Sequence, residues 1–97
     1  MTKGKKRLSK HAESVRHSFG RVFREHRLRL QLSQEAVAKK CQFDRTTPSL
    51  YELGLRQPTL DSLLMIADVF QIKAGALVEQ VKAEMKAAAQ RSLGKDS

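Results

Sequence analysis

The chain has 97 residues, enough for one small domain. Its 19 Lys and Arg against 10 Asp and Glu give a formal net charge of +9, which implies a polyanionic partner: DNA, RNA or an anionic membrane surface. Cys41 is the single cysteine, so no intrachain disulfide is possible, and no apolar run approaches membrane-spanning length.

Residues 1–13, MTKGKKRLSKHAE, are basic and polar with no periodic apolar stripe, and read as a flexible basic arm ahead of a domain over 14–90. No apolar core region follows these basic residues, so they do not resemble a secretory signal; a soluble, cytoplasmic protein is expected. A first helix fits Ser14 or Ser18 as its N-cap. Phe19, Val22, Phe23, Leu28 and Leu30 form its apolar side, and Arg21, Arg24, Arg27 and Arg29 cover the remaining face.

A second helix, about 33–41, opens at Ser33, whose hydroxyl suits an N-cap. Glu35 follows near the positive end of the helix dipole, and Ala36, Val37 and Cys41 are the apolar positions. After the short turn 41–44, Asp44 reads as the N-cap of a third helix, about 45–53, which Gly54 ends at its C′ position. Leu50, Tyr51 and Leu53 are its apolar residues, with Tyr51 the foremost core member. Beyond the loop at Pro58, Thr59 or Asp61 starts a fourth helix with Leu60, Leu63, Leu64, Ile66, Ala67 and Phe70 on its buried side. This is the most apolar stretch, hence the centre of the core.

Ile72 and Lys73 connect to a fifth helix, about 74–89, with Leu77, Val78, Val81 and Met85 spaced three and four apart. Residues 91–97 read as a frayed tail. Five helices and no convincing strand predict an all-α bundle. Charge is uneven along it: residues 1–48 carry 13 basic and 4 acidic side chains, and residues 49–97 carry six of each. The first half is the one expected to meet a polyanion.

Chemistry-bearing patterns are few. His11, His17 and His26 are scattered and Cys41 has no neighbour at ligand spacing, so no metal or cofactor is expected. No Gly-rich phosphate loop, nucleophile elbow or paired-carboxylate pattern occurs, so no enzyme activity is expected. What remains is the segment 33–58, SQEAVAKKCQFDRTTPSLYELGLRQP: two short helices joined by a turn of a few residues. That spacing is the one by which a second helix is presented to the DNA major groove.

This segment resembles the helix-turn-helix family of the phage Cro and lambda-type repressors, the XRE family. The resemblance rests on Ser33-Gln34-Glu35 with Ala38, then Asp44-Arg45, Ser49, Glu52, Gly54, Arg56, Pro58, and Leu60-Asp61 with Leu63, and extends over about residues 18–78. It implies a five-helix lambda-repressor-like fold, double-stranded DNA as partner, and a transcriptional regulator that binds a palindromic operator as a homodimer. An antitoxin that neutralises a partner toxin and autoregulates its operon shares the same module and is the alternative.

The side chains expected at DNA are Arg45, suited to guanine O6 and N7; Thr46, with a hydroxyl and a methyl; Thr47 and Ser49, within reach of phosphate or base; and Arg56, just past the helix. Gln34 resembles a phosphate-anchoring position of the family, and Glu52 one that makes an intramolecular polar contact. The basic arm residues Lys3, Lys5, Lys6, Arg7 and Lys10 are a second candidate contact. Leu77, Val81 and Met85 of the fifth helix are expected to line the dimer interface.

Two positions depart from the family pattern. Gln42 stands where glycine is usual, at a left-handed turn, at a cost of about 1 kcal/mol. Pro48 stands where a β-branched residue is usual. In a helix interior proline costs about 3 kcal/mol, but near the first turn there is little intrahelical bonding to lose.

Overall fold

The computed structural model describes the backbone of residues 2–96 and the side chains of residues 10–93. Five helices follow one another: α1 (Thr2–Arg29), α2 (Gln34–Cys41), α3 (Thr47–Glu52), α4 (Leu60–Val69) and α5 (Ala74–Asp96). No strand occurs among the described residues, and the expected all-α class is the one observed. The helix-turn-helix is the α2–α3 pair.

The long helices α1 and α5 pack against each other, and α1 also packs on α3. One core joins all five, through Phe19, Val22 and Phe23 of α1, Val37 and Cys41 of α2, Tyr51 of α3, Ile66, Ala67 and the adjoining Phe70 of α4, and Leu77 and Val81 of α5. Its centre is aromatic. Tyr51 meets Phe19 edge-on at 5.3 Å and Phe23 at 5.4 Å, and Phe23 meets Phe70 at 5.2 Å. Such tilted pairs set the positive ring edge against the negative face. The polar seam between α1 and α5 is bridged by His26 Nε2 and Gln80 Oε1 at 2.5 Å and by Arg21 on Glu84, which also pairs with Arg91 of its own helix.

Several boundaries differ from the sequence reading. α1 starts at Thr2 rather than at Ser14 or Ser18, and α5 runs on to Asp96 rather than ending near 89. Lys-, Arg- and Ala-rich segments are good helix formers, and a helix without an apolar stripe gives no periodic signal to read. The arm side chains Lys3, Lys5, Lys6 and Arg7 lie outside the described side chains. α3 starts at Thr47, two residues later than expected, because Asp44 caps a turn instead of the helix: the Thr46 N–H donates to Asp44 Oδ2 at 3.0 Å, and the Thr46 hydroxyl bonds the same oxygen. Pro48 is then the second residue of α3 and forfeits no intrahelical bond.

Four helices end in the same way. Gln31, Gln42, Gly54 and Gln71 all have φ near +60 to +70° (58°, 58°, 73° and 61°). Each is followed by an apolar residue whose N–H reaches back five positions: Leu32 to Arg27, Phe43 to Ala38, Leu55 to Leu50 and Ile72 to Ala67, at 2.8–3.0 Å. These are Schellman closures, which satisfy carbonyls that the helix end leaves free. Gln42 therefore keeps the left-handed turn that glycine usually serves, and tolerates the strain.

Burial also corrects the expected core. Leu60 and Leu64, expected on the inner side of α4, are 72% and 50% exposed, as is Leu53 at the end of α3. Arg27, expected on the outer face of α1, is buried. Leu77 is fully buried and Val81 nearly so, and Met85 packs against the same cluster. The stripe expected to face a second chain thus covers the domain's own core, in one cluster with Phe19, Val22 and Phe23 of α1 and with Phe70.

Gly20 is the tightest point between helices. A Cβ there would fall 2.2 Å from the Tyr51 carbonyl oxygen, so the α1 and α3 backbones touch. We expect Gly20→Ala to cost about 1–3 kcal/mol in chemical denaturation. Gly75→Ala, whose Cβ meets nothing within 4 Å, should leave stability unchanged or slightly higher.

Candidate nucleic-acid interface

The placement of α3 starts from one carboxylate. Glu52, at the last turn of α3, receives a two-pronged contact from Arg27 of α1: Nε to Oε2 at 2.6 Å and Nη2 to Oε1 at 3.0 Å. A third guanidinium nitrogen of Arg27 donates to the Leu32 carbonyl at 3.0 Å. Gln34 Nε2, at the first residue of α2, donates to Glu52 Oε1 at 3.2 Å, and Arg24 Nη1 lies 3.7 Å from the same oxygen. Arg27 is 8% exposed, so this pair sits largely out of water. The bonds that Arg27 donates to the Glu52 carboxylate hold the guanidinium charge in place and raise the Arg27 pKa despite the opposing effect of burial. Among the described residues no buried side-chain nitrogen or oxygen lacks a partner.

The back of α3 is locked by Tyr51 in the aromatic cluster, by buried Thr47 and Pro48, and by Gly54, whose carbonyl accepts from Arg16 Nε at 3.1 Å. The front is left to solvent. Arg45 and Thr46 are exposed in the turn that leads into α3, Ser49 is half-buried on its first turn, and Arg56 is exposed just beyond it. Arg45 also edges a shallow recess formed with Glu35, Lys39 and Phe43. The exposed Lys39 is a basic neighbour of Arg45 that the helix-period reading passed over.

These residues form one neighbourhood. The bonds from the Thr46 hydroxyl and backbone N–H hold the Asp44 carboxyl below its usual range, with smaller help from the nearby Arg45 and Arg56 charges. A depressed carboxylate contributes its stability above the unfolded value and loses it as pH falls through the folded one. The carboxylate's contribution to this turn is therefore present at neutral pH and is lost as acidification passes from the ordinary carboxylate value through the lower folded one.

Of the expected site residues, Arg45, Thr46, Ser49 and Arg56 reach the surface around α3. Thr47 does not: at 6% exposure it packs inward, because the late start of α3 turns it toward the core. Gln34 is half-exposed and spends one N–H on Glu52, while its amide carries a second. Arg27 was missed, since an arginine among four on one helix reads as a solvated face. Its signal was its pairing with a glutamate at a family position known for an internal contact.

The helix-turn-helix domain family model matches residues 18–81. The chain belongs to the helix-turn-helix domain family. The matched span holds all of α2, α3 and α4, with the C-terminal part of α1 from Ser18 and the first part of α5 as far as Val81, in keeping with the lambda-repressor-like resemblance. No curated protein sequence matches the chain. Among solved structures, the fold is similar to that of the clp gene regulator ClgR from Corynebacterium glutamicum, at a TM-score of 0.75 and 17% identity, over 84% of this chain and 87% of that one. Among the described residues no helix is long and apolar enough to cross a membrane, and no group of three or more His, Cys, Asp or Glu could hold a metal ion.

The Arg27–Glu52 pair gives a direct test. Glu52→Gln should cost about 3–5 kcal/mol, since it strands a buried guanidinium. The Arg27→Met/Glu52→Leu double variant should recover most of that loss. Denaturation midpoints of the three proteins check it; equal losses for the single and double variants would contradict the pairing.

Proposed function

We propose that the chain is a transcriptional regulator that reads a palindromic DNA operator as a homodimer, with α3 in the major groove. The observation that carries this reading is the one-sided exposure of α3 and the turn before it: its back is fixed to α1, Arg45 and Thr46 are exposed in the turn that enters it, and Ser49 is half-buried on its first turn. A helix end of this size fits the major groove, where base edges carry a full donor and acceptor code.

Roles follow from chemistry. Arg45 reads guanine through paired bonds to O6 and N7. Thr46 offers its methyl to thymine, because its hydroxyl proton is engaged by Asp44. Ser49, Arg56 and the second N–H of Gln34 bond phosphates, supported by the exposed N-terminus of α2. Thr47 has no part in contact. The basic half of the chain supplies the salt-dependent attraction that any site on DNA shares.

Selection from a random duplex pool followed by titration tests this. The enriched site should be an inverted repeat bound about 10³-fold or more above scrambled DNA. Arg45→Ala should lose about 1–3 kcal/mol at one position per half-site, whereas Arg56→Ala should weaken all sequences alike and lower the salt slope by about one. An absence of enrichment would remove the reading, leaving a module that holds polyanions or a protein partner.

A further inference from the structure

Between Ala36 and Leu60 the chain has four basic side chains, Lys39, Lys40, Arg45 and Arg56, and two acidic ones. Glu52 is buried in its pair with Arg27. Asp44 is the other, and it is exposed beside Arg45 and Thr46. A carboxylate there repels the phosphates that the surrounding cations attract. Capping a turn needs no such charge: Ser33 and Thr59 serve α2 and α4 with neutral hydroxyls.

The two oxygens of Asp44 are not equivalent. Oδ2 accepts from both the Thr46 N–H and the Thr46 hydroxyl, which holds the carboxylate in one orientation. Among the described residues no donor bonds Oδ1. Arg45 and Arg56 stand near enough to favour the negative charge, yet neither closes an ion pair with it. The turn therefore holds an oriented, solvent-facing acceptor that its own structure leaves unused.

We propose that Asp44 is a specificity residue of the α3 entry, its Oδ1 accepting from the amino group of a cytosine one base pair from the guanine that Arg45 reads. An ionised carboxylate can only accept, so among major-groove edges it requires an amino donor. Cytosine presents N4 with no acceptor on the same edge, whereas adenine sets N7 beside N6 and guanine and thymine present acceptors. Consecutive Cα atoms lie about 3.8 Å apart and base pairs about 3.4 Å apart, so adjacent residues address adjacent pairs. Discrimination also comes from repulsion: the charge of Asp44 penalises any register that brings phosphate to this point. The inference deepens the operator reading above and rests on it.

The test selects sites from a random duplex pool with the full chain, as wild type, Asp44→Asn and Asp44→Ser, with circular dichroism confirming helix content. Both replacements can still accept from the Thr46 N–H. The wild type should prefer cytosine about tenfold at one position per half-site, next to the Arg45 guanine. Both variants should lose that preference and keep the guanine. Their affinity for scrambled DNA should rise about two- to fivefold, as one repelling charge is removed. A residue that only shaped the turn would lower operator and scrambled binding together.

An enriched site that is the same at every position for all three proteins would overturn the proposal and leave the operator reading standing. So would variants that weaken operator and scrambled DNA in equal proportion. A wild type that enriches no sequence would remove the operator reading and this inference with it.

Discussion

The Glu52 carboxylate is the point at which three helices are tied. Arg27 from α1 grips both of its oxygens, Gln34 from the start of α2 reaches one of them, and Glu52 itself belongs to α3. A buried ion pair of this kind is weak evidence for added stability, because desolvation consumes much of the Coulomb attraction. Its effect is geometric. A guanidinium fork bonded to two carboxylate oxygens and to the Leu32 carbonyl admits one orientation, and α3 is only six residues long. A helix so short cannot hold itself in water; its direction is set by Glu52 at one end, Tyr51 in the aromatic cluster and Gly20 at the crossing with α1.

Function, on this account, comes from what that fixation leaves out. The back of α3 is committed to the core, so its front residues need pay little ordering cost when they meet a rigid partner. The Asp44 turn extends the same logic to Arg45 and Thr46, by occupying the Thr46 N–H and hydroxyl and standing near both arginines. On the proposed reading, long-range attraction and short-range reading are thus separated: the basic first half would draw in a polyanion, and a few side chains at the α3 entry would do the discriminating.

Much of this was legible in the residues. The Ser33 cap, Val37 and Cys41 as buried residues of α2, Tyr51 as a core residue and Gly54 as the stop of α3 each follow from local chemistry, and the 33–58 pattern placed the helix-turn-helix. What was not legible depends on partners far along the chain. Arg27 reads as solvated until Glu52 is brought to it, 25 residues on. Leu77 and Val81 have the same period whether they meet α1 or another chain, and Leu60 and Leu64 sit in an apolar run that hides which flank is outside. The terminal stretches of α1 and α5 have no apolar face, so no period announces them. One signal was present and unread: a Gln followed by an apolar residue closes three more helices in the way Gly54 closes α3.

The most direct measurement of the central claim, that the α3 entry reads base edges in the major groove, is methylation interference on a selected binding site. The account predicts that methylating guanine N7 abolishes binding at one guanine in each half-site, while methylating adenine N3 in the minor groove beneath α3 has no effect. Interference only at minor-groove adenines, or none at any base despite tight binding, would contradict it.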